Sequence, residues 1–321
     1  MSKNTKARRR RKERPEDAPV GLDRGIESLE NRRDSKEEKR VAGELKGQRA
    51  RGWTEKLLTR TLSGVIYVVL ILGCLWWGVI PTAVMLAAMA WLCCSELFRI
   101  ARMAGRMPNE IIGLTAALAF PPVAALLGSS YLYVICGLLV ILVAVWYVTS
   151  PRANLSDVAV TIFGPIYTSL TLSSLAMIRA HDPGFDGALL ALVVMGAIWL
   201  EDSAAYLVGS RLGKHKMAPR ISPNKSWEGF AGGIVGCVIA WCIGAVLHVC
   251  GLTWPLAILC GVVESIIAVF GDLFESRIKR GVGVKDSGSI LPGHGGLLDR
   301  TDSMLFGGFV CYYLLLLGGI L

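Results

Sequence analysis

The sequence lacks the short motifs that mark the common soluble hydrolases. It contains no GxxxxGK(S/T) phosphate loop, no GxSxG nucleophile elbow and no HExxH zinc helix. Histidine is scarce, and His181, His215 and His248 stand apart without metal-ligand spacing. These absences argue against a P-loop nucleotidase, a serine esterase and a zinc protease, and we assign these three histidines no function.

The nine cysteines do not indicate a disulfide framework. They form no CxxC pair and lie almost entirely within apolar runs. Cys93 and Cys94 are adjacent, so they cannot form an ordinary disulfide with each other. We therefore predict buried free thiols.

Long hydrophobic runs are what the sequence has in abundance. Of its 321 residues, 53% are hydrophobic, and from residue 61 onward apolar runs recur. Each is about 18 to 22 residues long, which is the length a helix needs to cross a bilayer. The first run begins too late and is too long for a cleavable signal peptide, so we expect it to stay in the mature protein. The sequence predicts an all-α polytopic membrane bundle.

We predict nine transmembrane helices. The spans are 61–80, 82–98, 111–128, 131–149, 156–178, 187–208, 229–249, 252–273 and 304–321. The fifth is the weakest, because it contains Asp157, Gly164 and Pro165, and a count of eight is the alternative. We divide the chain into a tail, an N-terminal transmembrane region and a C-terminal catalytic transmembrane region, at 1–60, 61–180 and 181–321.

The net charge of +9 is concentrated in the tail. Residues 1–60 hold 19 Lys or Arg against 11 Asp or Glu and have little apolar periodicity, so we predict a largely disordered cytoplasmic tail. With nine spans, the loops rich in Lys and Arg lie on the same side of the membrane as the tail. Arg179 is the exception, because its loop lies on the other side. The two charged loops, 209–228 and 275–303, are therefore predicted to face the cytoplasm.

The second of these loops mixes cations, acids and glycines. Its ionisable residues include the cations Lys279, Arg280, Lys285 and Arg300, the acids Asp286, Asp299 and Asp302, and His294. A loop that only attracts lipid headgroups would need no such density of Asp and Gly. Phosphoryl-type transfer needs oxygen ligands for Mg²⁺, cations for a polyphosphate and closely approaching backbone amides. The mixture favours a site for nucleotide phosphate.

Acids also lie at the ends of two spans. Asp272 ends the apolar run before the loop, where an ionisable group usually faces a cavity or a partner, and pairing to Arg277 or Lys279 is the plain alternative. Glu201 and Asp202 are adjacent and diverge by about 100° on a helix, so we expect one to face the site and the other a partner.

The segment SPNKSWEG follows the sixth span. We interpret Ser222 and Pro223 as a turn, Ser226 as a helix cap and Trp227 as an interfacial residue. A simple basic loop with an aromatic anchor is the alternative interpretation.

Together these stretches resemble a known family, the phosphatidate cytidylyltransferases, also called CDP-diacylglycerol synthases. The matching positions are Ser276, Lys279, Arg280, Lys285, Asp286, Pro292, His294, Gly295, Gly296, Asp299, Arg300 and Asp302. DSAAYLVGSRLGKHK and SPNKSWEGFAGG are similar to the family as well, so the resemblance covers residues 195–321.

The resemblance implies that CTP and phosphatidate give CDP-diacylglycerol and pyrophosphate with Mg²⁺, and a second metal ion is an option. The implied metal ligands are Asp272 and Asp299, with Asp286 and Asp202 as further candidates. The implied catalytic residues are Lys279, Arg280, Lys285, His294 and Arg300. The implied substrate-binding residues are Ser222, Lys225, Glu228, Ser276, Gly295 and Gly296.

Three other functions are weighed against this one. A CTP-dependent lipid kinase, or a cytidylyltransferase for another lipid phosphate, would need the same residue types. An ion-coupled transporter would use Glu96, Glu201, Asp202, Glu264 and Asp272, but these acids gather toward the cytoplasmic side. Nucleic-acid binding is not expected, because the acids of the tail dilute its charge.

We expect membrane lipid as a partner, a homodimer as an option and the bacterial inner membrane as the location.

Overall fold

The structure is a computed structural model that describes residues 61–288, 290 and 295–321. The predicted tail, 1–60, and His294 lie outside the described residues. The helices are α1 (Thr61–Trp77), α2 (Val79–Met103), α3 (Glu110–Leu127), α4 (Ser130–Thr149), α5 (Leu155–Pro165), α6 (Ser173–His181), α7 (Phe185–Leu212), α8 (Trp227–Val246), α9 (Trp254–Gly281) and α10 (Leu298–Leu317). A π-helical turn (Ile166–Leu170), a 3₁₀ turn (Val249–Gly251) and strands β1 (Lys216–Ala218) and β2 (Ser222–Ser226) complete the described elements.

Within the described residues, seven helical segments are long and apolar enough to cross a membrane. They are α2, α3, α4, α7, α8, α9 and the continuous segment Leu155–His181. Helix α1 is shorter, and α10 begins with the charged residues Asp299, Arg300 and Asp302. The all-α membrane bundle is therefore confirmed, whereas the count of nine spans and their orientation stay predictions.

The fifth predicted span is helical despite its polar residues, and several of its hydroxyl groups bond to nearby backbone carbonyls. Thr168 Oγ1 donates to the carbonyl of Gly164 at 2.9 Å, and Ser173 Oγ donates to that of Ser169 at 2.7 Å. Pro165 ends α5, and the chain continues through the π-helical turn into α6. These bonds satisfy polar groups that would otherwise be costly in an apolar bundle.

Helices α7 and α8 pack closely through glycines of α8. A Cβ added at Gly233 would lie 2.6 Å from Glu201 Oε1, and one added at Gly236 would lie 2.7 Å from the Cβ of Ala204. Small residues at a helix contact let the two backbones approach, which is how transmembrane helices gain packing contacts. The close approach fixes the end of α7, and with it Glu201 and Asp202, against the start of α8.

Strands β1 and β2 form an antiparallel hairpin between α7 and α8. The predicted turn at Ser222 and Pro223 is wrong, because both residues lie in β2 and the chain reverses before them, at 219–221. The predicted cap is confirmed, since Ser226 Oγ accepts a hydrogen bond from the backbone N–H of Gly229 at 3.1 Å. Trp227 begins α8 and is 55% exposed.

The cysteines are free thiols, as predicted. The buried ones are Cys93, Cys94, Cys237, Cys260 and Cys311, and the other four are partly buried. Most of the buried ones belong to the main apolar core, which is formed mainly by α2, α6, α7, α8, α9 and α10. A smaller core joins α3, α4 and α5.

Candidate active site

One ion pair connects the first charged loop to α9, just before the second charged loop begins. Lys225, on β2, places its Nζ 2.7 Å from Oδ2 of Asp272 on α9. Ser276, one helical turn further along α9, donates its Oγ to the other oxygen of Asp272 at 3.1 Å. Both partners of the pair remain about a quarter exposed. Lys225, Asp272 and Ser276, all predicted for the site, are thus brought together. The alternative partners of Asp272, which were Arg277 and Lys279, do not form this ion pair.

Two further aspartates lie near this pair. Asp202 of α7 lies close enough to Lys225, Asp272 and Arg300 for electrostatic interaction. Asp302 of α10 is 8% exposed and interacts unfavourably with Asp272 and Asp202. Because like charges repel one another at short range, a cation among them would be stabilised.

The approach of Asp302 to α9 depends on a glycine. A Cβ at Gly271 would lie 2.6 Å from the backbone oxygen of Asp302. The sequence argument named Asp302 within the family signature but gave it no role. Its spacing of three residues from Asp299, on a helix that follows the loop, is the signal that would have included it.

The donor set suits a hard divalent cation, because carboxylate oxygens are the ligands that Mg²⁺ prefers. The site is not a preformed cage, however. Within 61–288, 290 and 295–321, no group of three or more His, Cys, Asp or Glu side chains is arranged to hold a metal ion.

Asp299 has a different setting from the other predicted metal ligands. Its carboxylate accepts hydrogen bonds from Lys279 Nζ at 2.5 Å, from the backbone N–H of Ser287 at 2.9 Å and from that of Gly296 at 2.8 Å. Lys279 also pairs with the buried Glu275. Asp299 thus ties the loop to α9 and to the start of its own helix.

Glu96, which we considered from the sequence only as part of an ion path, contacts the loop and the start of α10. It lies on α2, is 3% exposed, and accepts hydrogen bonds from the backbone N–H groups of Leu297 at 3.0 Å and Leu298 at 2.8 Å, and from Ser287 Oγ at 2.8 Å. A carboxylate here satisfies unpaired amides at the start of α10 and suits the positive end of its dipole. Arg99, one turn later, donates to the carbonyl of Ser287 at 2.5 Å.

The predicted glycines make these contacts possible. Gly295 has φ +86°, a left-handed conformation that glycine adopts without strain. A Cβ on Gly296 would collide with the Ser287 hydroxyl and with Glu96. Close backbone approach is therefore their role in the loop, and contact with a substrate stays a prediction.

The remaining predicted residues lie around this centre. Arg280 donates to the carbonyls of Ile221 at 3.4 Å and Val284 at 3.0 Å, which joins the loop to the hairpin. Lys285 and Asp286 are exposed on the loop, and Arg300 is exposed in the first turn of α10.

Glu228 lies at the opposite end of the hairpin from Ser222. It accepts hydrogen bonds from the backbone N–H groups of Lys214 at 3.1 Å and His215 at 3.2 Å, and it lies 2.6 Å from Nδ1 of His215. His215, to which we assigned no function, therefore has a partner that connects the end of α7 to α8. Ser222 pairs with Ala218 in the hairpin and is partly buried.

A cavity of about 540 Å³ opens between α7, the hairpin and α8. Its lining includes Asp202, Tyr206, Lys216, Asn224 and Lys225. Its size lies within the range of about 300–1,000 Å³ that is usual for small-molecule sites. Two of the predicted site residues, Asp202 and Lys225, face this cavity, and Lys225 connects it to Asp272.

Comparison with known proteins gives a consistent result. The model of the cytidylyltransferase family matches residues 58–317. The chain is 33% identical to the phosphatidate cytidylyltransferase of Bacillus subtilis (strain 168) over 274 residues, which cover 82% of this chain and 97% of that protein. It is 43% identical to the Mycobacterium bovis protein of the same name over 156 residues, 49% of this chain. The chain spans about half the length of the mycobacterial relatives it matches.

Proposed function

This chain belongs to the cytidylyltransferase family, and we propose that it transfers the cytidylyl group of CTP to phosphatidate, giving CDP-diacylglycerol and pyrophosphate. The observation that carries the proposal is the ion pair of Lys225 with Asp272, because it brings the SPNKSWEG segment next to the acid that precedes the 275–303 loop, and both stretches resemble the family. The match covers almost the whole of the B. subtilis phosphatidate cytidylyltransferase, which supports the same substrates.

The reaction does not require a strong general base. The attacking group is the phosphate of the lipid, whose second pKa of about 6 leaves it mostly ionised at neutral pH. What the protein must supply is positive charge and orientation for two anions that repel each other. In our proposal the cations that do this are Lys225, Lys279, Arg280, Lys285 and Arg300, and His294 donates to a phosphate oxygen or to the leaving group.

We propose CTP as the occupant of the cavity beside Lys225. Asn224 and the backbone of the hairpin offer polar contacts there, and Asp202 closes one side. The proposed substrate contacts are Ser222, Lys225, Glu228, Ser276, Gly295 and Gly296. Of these, Lys225 and Ser276 meet at Asp272.

Magnesium is the proposed cofactor, with Asp202, Asp272 and Asp302 as its ligands. When bound, Mg²⁺ supplies charge that offsets the phosphates and the departing pyrophosphate. Asp286 and Asp299 are the remaining ligand candidates from the sequence, and a second ion would use them. The repulsion between Asp302 and its acidic neighbours supports a cation between Asp202, Asp272 and Asp302.

For the membrane arrangement we propose nine spans, a cytoplasmic N-terminus and both loops on the cytoplasmic side, in the bacterial inner membrane. The positive-inside pattern supports this orientation, and the relatives are bacterial proteins. Membrane lipid surrounds the chain in this arrangement. A homodimer belongs to the same proposal, and its test is the mass of the purified protein in detergent.

The test of the function uses purified protein in liposomes with Mg²⁺, phosphatidate and CTP labelled at the α-phosphate. Label should enter the lipid while pyrophosphate is released, and both should be lost in the Asp302→Asn variant. Release of CDP in place of pyrophosphate would overturn the proposal in favour of a lipid kinase. Label in another lipid phosphate but not in phosphatidate would overturn the substrate assignment.

A further inference from the structure

Tyr167 lies in the π-helical turn between α5 and α6. Single π-helical turns are rare and occur frequently at functional sites, because they re-aim a side chain within an otherwise regular helix. The side chain of Tyr167 is 3% exposed, and its hydroxyl has no hydrogen-bond partner among the described residues. A buried hydroxyl without a partner costs free energy, so its position calls for an explanation.

Tyr167 lies near an acidic cluster formed by Asp272, Glu275 and Asp302, with which it interacts electrostatically. Its ring contacts Phe274, two residues after Asp272, and Phe306, one helical turn after Asp302. Asp272 in turn pairs with Lys225, which lines the cavity. Tyr167 itself does not line that cavity. Tyr167 and the cavity therefore both adjoin Asp272, and Tyr167 is no part of the proposed CTP pocket.

The surroundings of the Tyr167 ring are aromatic and open to the apolar outer surface. The ring stacks on Phe163 at a centroid distance of 5.3 Å and meets Phe274 and Phe306 edge-on at 5.3 and 5.7 Å. Phe163 and Phe274 are 39% and 38% exposed. In a membrane protein such half-exposed rings contact lipid.

We propose that Tyr167 contacts the lipid substrate and donates its hydroxyl hydrogen to an oxygen of the lipid phosphate at the acidic cluster. A neutral donor adds a hydrogen bond to an anion and leaves the charge of the site unchanged. Phe163 and Phe274 lie where the remainder of the lipid extends outward. This inference rests on the proposed function for the identity of the lipid, and it assigns the two substrates to separate places near Asp272.

The test compares Tyr167→Phe with Tyr313→Phe. The first variant removes only the hydroxyl and keeps the aromatic packing. The second is a matched control on α10, where the tyrosine is 46% exposed and its ring contacts Phe309 and Tyr312. Removal of a hydrogen bond to a charged group lowers affinity or kcat/KM by about tenfold or more. We expect kcat/KM for phosphatidate to fall by about that factor in Tyr167→Phe, with the KM for CTP and the Mg²⁺ dependence unchanged.

Binding gives a second measurement that does not depend on turnover. Affinity of the detergent-solubilised protein for dioleoyl phosphatidate should fall about tenfold in Tyr167→Phe and stay unchanged in the control, with dioleoyl phosphatidylcholine as the reference lipid. Wild-type protein that binds phosphatidate without turning over CTP would refute the proposed function and leave this inference standing. Equal losses for CTP and phosphatidate, an altered Mg²⁺ dependence, or no change in either assay would overturn the inference.

Discussion

At the scale of single residues, the carboxylates of the site divide into two groups by what they contact. Glu96 and Asp299 accept hydrogen bonds from backbone amides and hold the loop to the helices. Asp272 and Asp302 have fewer protein donors and lie beside other acids. The first pair joins parts of the fold, whereas the second pair binds the cation in our proposal.

Glu96→Gln tests the first group. The amide keeps one acceptor oxygen and loses the charge, so some of the donors from Ser287, Leu297 and Leu298 lose their partner. We expect the free energy of unfolding to fall by about 1.5–3 kcal/mol, as for hydrogen bonds to charged groups. Thermal unfolding in detergent measures the change. Glu110→Gln is the control, because Glu110 pairs with Arg102 on an exposed surface, and an equal loss there would contradict the capping role.

Asp302→Asn tests the second group. We expect turnover to fall by about 10²-fold or more, because charge at the reacting phosphates is lost. Stability should be unchanged or higher, since repulsion with Asp272 is relieved. Asp299→Asn should lose turnover and, through its contacts with Lys279 and Gly296, stability as well. If Asp302→Asn unfolds at a lower temperature than Asp299→Asn, the division into two groups is wrong.

The residue scale also marks the limit of prediction from sequence. The signature positions between Ser276 and Asp302 could be identified because they resemble the signature of a known family. The contact of Glu96 with Leu297 could not, because the two residues are far apart in the chain and only the packing of α2 against the loop and α10 brings them together. The same holds for Lys225 and Asp272, whose pairing takes the place of the alternative partners Arg277 and Lys279.

At the scale of elements, the contact of α7 with α8 positions the acids of α7. Glycines on α8 leave room for Glu201 and Ala204, so the contact is sensitive to added volume. The element boundaries were largely predictable, because apolar runs between charged loops define them. The hairpin was not, since strands this short carry little periodic pattern.

Gly233→Ala tests this contact. The added methyl would lie 2.6 Å from Glu201 Oε1 and 3.3 Å from the Cβ of Ala205, so we expect a loss of about 1–3 kcal/mol from overpacking. Gly137→Ala in α4 is the matched control, because nothing lies within 4 Å of the added methyl. There the better helix propensity of alanine should raise the unfolding temperature slightly. Equal changes of the unfolding temperature in both variants would show that the contact between α7 and α8 tolerates the added methyl group.

At the scale of the whole molecule, the bilayer explains why the fold class could be predicted. Backbone polar groups in a membrane must be satisfied within the segment, so long apolar runs become helices. Each predicted span falls on a helical segment of the described chain. The number of segments that cross the membrane depends on α1 and α10, which sequence and helix length do not decide.

Cysteine labelling at the two ends of α4 tests the orientation. Ser129→Cys precedes the helix and Arg152→Cys follows it, and nine spans with a cytoplasmic N-terminus put position 129 outside the cell membrane and position 152 inside. An impermeant maleimide added to intact cells should label position 129 and not 152. The parent protein is the control for its own cysteines, and the reverse labelling pattern would contradict the orientation.

The contact of Glu96 with the start of α10 also has a consequence for biogenesis. The ribosome makes α2 long before α10, so Glu96 enters the nascent bundle without Ser287, Leu297 and Leu298 as donors. An ionised carboxylate is costly at membrane depth, so before α10 is made Glu96 is least costly at the water boundary. Packing of α10 supplies the missing donors. The site is thus complete only after α10 has been synthesised, and a chain truncated before α10 would be embedded in the membrane but unfinished.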